Sequence, residues 1–476
     1  MKKYILLIGL FSFFSCEDKL ELVPEQSISD ELAFGDIATA QGVLIGTYNL
    51  LQDAESFGGM IQLIDEYMAD NVNFSGSFPD LQAMNNYQQN ANNTNVVTNA
   101  WRENYEVILG ANSIIANADA ISDASEDEID QLKGEAYFLR AISYFQLCNM
   151  YAQPFGVSSG SNLAVPLYLE PFSGEVILLE RSTLTEVHNQ IIDDLNEAID
   201  LLPNEIQQGR ASSLAATALL ARIRLYRGEW QEAAELANTV ITSEVHTIAA
   251  DYTFYNTVNS ELIFTIENTS VDNTANNAQQ GNSYDLYYEG VNDGGRGDAE
   301  FAADLEAAFL QEMGDKRLML REMGTNFGGA ERFYSTKFND GTNGTSDAPL
   351  IRVSEMYLTR AEALAELNDI NQMSIDLMNP IRTRAGLTEW TIDDFSSKDE
   401  FITAILTERR KELAFEGHRR LDLLRRALPL RTTTSVPVDV ERSSPVGLTA
   451  GDNLIIYPIP QREIDLNANL QQNPGF

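Results

Sequence analysis

Basic residues are scarce in this chain of 476 residues: 32 Lys and Arg stand against 71 Asp and Glu, a formal net charge of -39. The acidic excess is spread along the sequence and does not gather in one tail. Binding to a nucleic-acid backbone requires Lys and Arg to displace condensed counterions, so nucleic-acid partners are excluded. The same surface repels strongly anionic polymers unless a local basic groove lies inside the acidic envelope. Neutral ligands fit this charge best.

Cysteine is almost absent, with only Cys16, which closes an N-terminal apolar stretch, and Cys148, inside a strongly apolar run at 141–148. These contexts give no reason to expect a disulfide, and a chain of this length can hold itself by packing. The three histidines, His188, His246 and His418, are dispersed, with neither zinc-site nor catalytic-triad spacing. Of the three tryptophans, Trp101 and Trp230 fall in helical patterns and read as core, while Trp390 is open to either reading. A flat ligand platform is therefore expected from Tyr and Phe. Past the N-terminus no apolar run reaches bilayer-spanning length. With 44% hydrophobic and 22% charged residues, the composition is that of a chain that buries a core.

Met1-Lys2-Lys3 is a basic start, residues 4–14 form an apolar segment too short to cross a bilayer, and Ser15 precedes Cys16. This order resembles a lipoprotein signal, although Phe13 stands where Leu is commoner. It implies removal of residues 1–15, acylation of the Cys16 thiol, and a lipidated tether over 16–29. Loss of Lys2 and Lys3 leaves 30 basic residues against 71 acidic, a net -41.

From residue 30 the patterning is helical. Thr183, with Glu186 three residues on, predicts a capped helix whose apolar stripe runs through Leu184, Val187, Ile191, Leu195, Ala198 and Leu202 to a stop at Pro203. Residues 133–151 leave almost no polar face, as expected of a helix buried on several sides. Two helix pairs have a tetratricopeptide flavour. One turns at Gly228, with small Ala221, Ala233 and Ala237 allowing close approach; the other starts at Arg352, turns near Asn368-Asp369 and ends at Gly386. The expected fold is mainly α: one domain over 30–476, a tetratricopeptide-like helical repeat scaffold with long irregular inserts and few or short strands.

Three stretches break the rhythm, near 70–99, 268–297 and 324–344, and long irregular segments in a compact helical body are often functional. They are rich in amides, glycine and aromatics. A sugar site needs aromatic faces for the apolar side of a pyranose ring, and amides, carboxylates or Arg for its hydroxyls. Phe74, Phe78, Tyr87, Tyr284, Tyr287, Tyr288, Phe327 and Tyr334 are candidate platforms, with Asn85, Asn86, Asn282 and Arg296 as candidate hydrogen-bonding groups. For each of them an anchor packed on its own body is the competing expectation.

Four motifs carry a resemblance: GEAYFLRAISYF at 134–145, ERRKELAFEGHR at 408–419, YPIPQREIDLNANLQQNPGF at 457–476, and Trp101 with Tyr105 and Asn112. In this order and over this span they closely resemble the SusD/RagB family. The resemblance implies a surface lipoprotein, with Glu17-Asp18 resembling the acidic export signal of that setting. It further implies outer-membrane attachment through Cys16, capture of oligosaccharide, and delivery to a SusC-like TonB-dependent transporter beneath. It implies no catalysis and no cofactor. Some relatives accept peptides, so a repeat-type adaptor for peptide or protein stays open, as does a glycoside hydrolase. For the latter, Glu412 and Glu416 lie one helical turn apart, but they share their helix with Arg409, Arg410, Arg419 and Arg420, which reads as an ion-pair network. Residues 339–347 are oxygen-rich and glycine-turned like a calcium loop, yet lack EF-hand ligand order, so a polar turn is the expectation over structural calcium.

Overall fold

The structure, a computed structural model, describes residues 30–476 apart from 93, 208, 256, 258, 274–283, 339, 341–342 and 433–444. The expected signal and tether, Cys16 included, and Asn282 lie outside the described residues.

The longest helix, Glu126–Tyr151, starts at a capping box between Ser125 and Glu128 and packs against both Asn99–Asn117 and Leu184–Leu201. Neighbours on several sides explain its nearly all-apolar sequence. Gly134 lies where a Cβ would come within 2.7 Å of Leu202, so the close approach of the two helices depends on glycine there. Leu184–Leu201 has the expected capping box, Thr183 with Glu186, and its apolar stripe is buried. The first repeat-like pair is Ser213–Arg227 and Trp230–Thr242, joined at left-handed Gly228 (φ 74°). The second is Val353–Asn368 and Gln372–Arg384, turning at Asp369 (φ 56°) and closed by Gly386 (φ 77°). The pairs stack through Trp230–Thr242 against Val353–Asn368, where Ala233, Ala234 and Ala363 meet Leu225. The scaffold is the mainly helical, tetratricopeptide-like one, and among the described residues the strands form three two-stranded antiparallel pairs.

The expectation of irregular inserts is corrected in part. The first contains the strand Val72–Phe74 and the helix Pro79–Asn85; the third is largely the hairpin Arg321–Thr325 with Glu331–Ser335. Their turn residues mask short pairings that only distant partners complete, since Val72–Phe74 pairs with Ala299–Phe301.

Under the inserts lies a buried lattice of charge. Arg317, Lys337, Arg352, Arg382, Arg384 and Lys411 supply six cations; Glu261, Asp315, Glu408, Glu412 and Glu416, with the partly exposed Glu312 at the edge, supply six anions. Arg352 reaches Glu261 at 3.0 Å, Glu412 at 2.8 Å and Glu416 at 2.7 Å, and Arg384 reaches Glu261 at 3.0 Å and Glu412 at 2.7 Å. Burial alone would raise the Glu416 carboxyl, but Arg352 and Lys337 more than offset it and hold it at about 2. Glu412 is held well below the usual carboxylate range against the same burial by Arg384 and Arg352. Glu355, paired with Arg222 at 2.5 Å, is likewise held at about 2.

Two outcomes follow. Arg352→Ala strands buried carboxylates and costs about 3–5 kcal/mol in urea unfolding, whereas Glu232→Ala on the surface changes stability by less than about 0.5 kcal/mol. Because Glu412, Glu416 and Glu355 titrate lower folded than unfolded, the stabilisation is full above their ordinary value near 4.5 and is lost as pH falls towards about 2. A melting temperature that stays level from pH 5 to 2 would contradict the lattice.

Candidate functional site

The three inserts converge on one surface. Val72 faces Phe301 and Phe74 faces Ala299 across the short sheet, and Ser75 extends it by donating its N–H to Asp298 O (3.0 Å) and its hydroxyl to Gly297 O (2.9 Å). The hairpin lies against this edge: Thr325 N–H donates to Asn292 Oδ1 at 2.7 Å, and the Tyr334 hydroxyl donates to Gly297 O at 3.3 Å. Buried Glu300 joins all three, accepting from Asn73 Nδ2 (2.7 Å) and Asn326 Nδ2 (2.9 Å) and pairing with Arg332 (3.3 Å). Gly297 (φ 67°) admits the hairpin, since a Cβ there would come within 2.9 Å of Thr325 O.

Arg296 sits at the centre of the accessible part. Its Nε donates to Asp298 Oδ2 at 2.7 Å, and its guanidinium lies 5.0 Å from the Tyr287 ring centre and 5.9 Å from that of Phe78. Burial raises the Asp298 carboxyl and Arg296 opposes that shift. The Arg296 side chain keeps 31% exposure, so a pre-oriented cation faces solvent beside an aromatic ring. Phe78 is half-buried, and Phe327, at the hairpin tip, is 77% exposed. This arrangement offers apolar faces together with a donor and an acceptor.

Several candidates turn out to be anchors. Tyr287 is 1% exposed, and Tyr288 packs against Phe338 and Phe415; neither offers a face to a ligand in this structure. Phe74 is buried against Tyr67, and Tyr334 is buried with its hydroxyl on Gly297 O. Tyr87 is buried under Arg431 and donates to Met68 O at 2.6 Å. Buried Asn85 accepts from Arg431 at 2.8 Å and donates to Asn86 Oδ1 at 3.1 Å. The physical reason is common to all: short inserts cannot pack on themselves, so their largest side chains dock on the scaffold. The Tyr284 side chain lies outside the described residues. Asp298, Asn292, Asn326 and Glu300 were not singled out by sequence; the signal available was the Arg296-x-Asp298-x-Glu300 alternation, whose significance depends on strand pairing.

Glu412 and Glu416 are buried, and their carboxylates are taken up in ion pairs of the lattice. Burial pushes His188, stacked flat on Phe155, down to about 3 and His418 to about 4, so both are neutral core groups. Trp101 is core, and Trp390 packs edge-on to Phe395 with Arg382 4.5 Å from its ring. In the described part of 339–347, Asp340 accepts from Asn343 at 2.8 Å and from Thr345, and Asp347 accepts from Asn268 N–H at 2.8 Å, which makes a polar turn. Among the described residues no group of three or more His, Cys, Asp or Glu is placed to hold a metal ion, and no helix is long and apolar enough to cross a membrane.

Comparison with known proteins agrees with this architecture. Residues 40–225 match the family model described as starch-binding associating with outer membrane, and residues 321–476 match that of the SusD family. The chain is 26% identical to SusD-like protein P2 of Formosa agariphila over 534 aligned residues, covering 100% of each. Over 133 residues it is 32% identical to the starch-binding protein SusD of Bacteroides thetaiotaomicron, which is 28% of this chain and 22% of that one. A crystal structure of a SusD superfamily protein from Bacteroides thetaiotaomicron superposes with a TM-score of 0.82 at 26% identity, covering 92% of this chain and 100% of that one. With both family models matched in order on the fold of a solved relative, the chain belongs to the SusD/RagB family.

Proposed function

We propose that this protein is a glycan-capturing lipoprotein of the cell surface, held at the outer membrane by an acylated Cys16, that passes oligosaccharide to a SusC-like TonB-dependent transporter. The observation that carries the capture step is the Arg296 guanidinium 5.9 Å from the Phe78 ring where the inserts meet, with the exposed Phe327 on the adjoining hairpin. A pyranose ring rests its apolar face on Phe327 or Phe78, while Arg296 donates to ring hydroxyls and Asp298 fixes the guanidinium. The family match supports carbohydrate as the ligand class and outer-membrane association as the setting.

The cations around the site are already matched: Arg296 by Asp298, Arg321 by Glu306 at 2.7 Å and Arg332 by Glu300. With these three cations already paired, a neutral glycan is favoured over one bearing sulfate or uronate. Exposed sugar contacts replace similar contacts with water, so the expected affinity is modest.

The test is retention of the protein on a panel of immobilised neutral and anionic polysaccharides, then calorimetry with oligosaccharides of any glycan retained, with an assay for released product. Retention by a neutral glycan without product release is expected. Failure to bind any glycan while folded would sink the reading in favour of a peptide ligand, and product release would revive a hydrolase. Phe327→Ala and Arg296→Ala should each weaken binding by roughly 0.5–1.5 kcal/mol, about two- to twelvefold, with no loss of melting temperature for Phe327→Ala. Tyr287→Ala should instead lower the melting temperature, since it removes a buried ring.

A further inference from the structure

Away from the site just described, a groove of about 600 Å³ runs between the Asn99–Asn117 helix, the 166–179 segment and residues 462–470. Its walls are mainly apolar. Phe172, Val176, Ile177 and Leu466 are between 54 and 80% exposed. Exposed apolar side chains concentrated in one groove mark a recognition surface, where the same residues scattered singly would mean nothing.

The groove is preformed. Tyr105 donates to Pro166 O at 2.8 Å, Asn112 to Tyr168 O at 2.9 Å, and Tyr144 to Tyr168 O at 2.8 Å. On the far side Tyr168 donates to Ile177 O at 2.9 Å, and Asn467 and Asn469 hold Leu179 O and Leu178 O, each at 2.8 Å. Backbone carbonyls are thus fixed inward and the apolar side chains are presented outward, so little ordering cost remains for a ligand. The mainly apolar walls match an apolar segment better than the many hydroxyls of a sugar.

Charge selects among the remaining occupants. Glu106, Glu170, Glu175 and Glu463 border the groove against Arg102 and Arg462, and Arg102 is already paired with Glu103 and Glu106. A second copy would bring the same acidic border against itself, and an anionic lipid surface would be repelled in the same way. We propose that this groove docks a partner protein through an apolar segment flanked by basic residues. The inference stands independently of glycan capture.

The probes are two labelled synthetic helical peptides with the same Leu/Ala core, one flanked by Lys and one by Glu, titrated by fluorescence anisotropy into the full chain carrying Cys16→Ser. The Lys-flanked peptide should bind at least about tenfold more tightly than the Glu-flanked one, and its affinity should fall several-fold on raising salt from about 0.05 to 0.5 M. Val176→Glu with Ile177→Glu, both at exposed positions, should abolish that binding while circular dichroism and glycan retention stay unchanged. Equal binding of both peptides, binding of neither, or binding unaffected by the double substitution would overturn the proposal. It would equally be overturned by flotation with anionic vesicles, or a dimer in sedimentation, that the double substitution removes.

Discussion

The lattice of buried charge around Arg352, Glu412 and Glu416 is the constraint on which the rest of the structure depends. Burying charge is expensive unless every member is paired and hydrogen-bonded, and here the pairing requires segments far apart in sequence to arrive together. Glu261 comes from just before the Leu262–Ile266 strand, Lys337 from just after the hairpin, Arg352 from the start of the Val353–Asn368 helix, and Glu412 and Glu416 from the end of Lys398–Leu413 and the turn beyond it. Lys337 also donates to Glu412 O and Ala414 O, both at 2.9 Å, so the hairpin base is tied to the turn itself. A lattice of this kind is weak evidence for net stability, because an apolar replacement can be as stable. It ties the register of these segments together, since each must bring its charge to the same set of partners.

The same turn is the foundation of the proposed ligand surface. Arg419 clamps Asp70 at 2.6 and 2.8 Å, Arg410 reaches Asn71 at 2.8 Å, and Gly417 (φ 78°) packs where a Cβ would come within 2.9 Å of the Gln62 backbone. The base of the first insert and the base of the hairpin are therefore held by neighbouring residues of one motif. Phe78, Arg296 and Phe327 project from segments whose ends are fixed, which keeps a shallow site in shape without a deep pocket to enclose it.

The helical half of the molecule was legible in the sequence because its signals are local. The Thr183–Glu186 capping box, the stripe from Leu184 to Leu202, and the turns at Gly228, Asp369 and Gly386 all rest on spacings of three or four residues or on a single left-handed position. The charge pattern was legible only in kind: Glu412 and Glu416 are ion-paired, but the helix ends at Leu413, Arg419 and Arg420 lie on the separate helix Arg419–Arg425, and the partners are the distant Arg317, Lys337, Arg352 and Arg384. The site was legible only as a set of loops. Phe327 and Phe78 looked no different from Phe74, and Tyr287 no different from an exposed tyrosine, since aromatics in glycine-rich segments serve equally as anchors and as platforms.

By itself the sequence determined the class of the molecule: an acidic chain without disulfides, built of capped amphipathic helices in repeat-like pairs, with motifs resembling one family from end to end. Helix capping, turn conformation and overall charge depend on near neighbours in the chain, so they are written there directly. The tertiary structure alone decided which aromatics face solvent, which carboxylates are consumed in ion pairs, and that Arg296 is oriented by Asp298 beside Phe78. Those outcomes depend on contacts such as Val72 with Phe301 and Asp70 with Arg419, between residues hundreds of positions apart, and no local pattern specifies them.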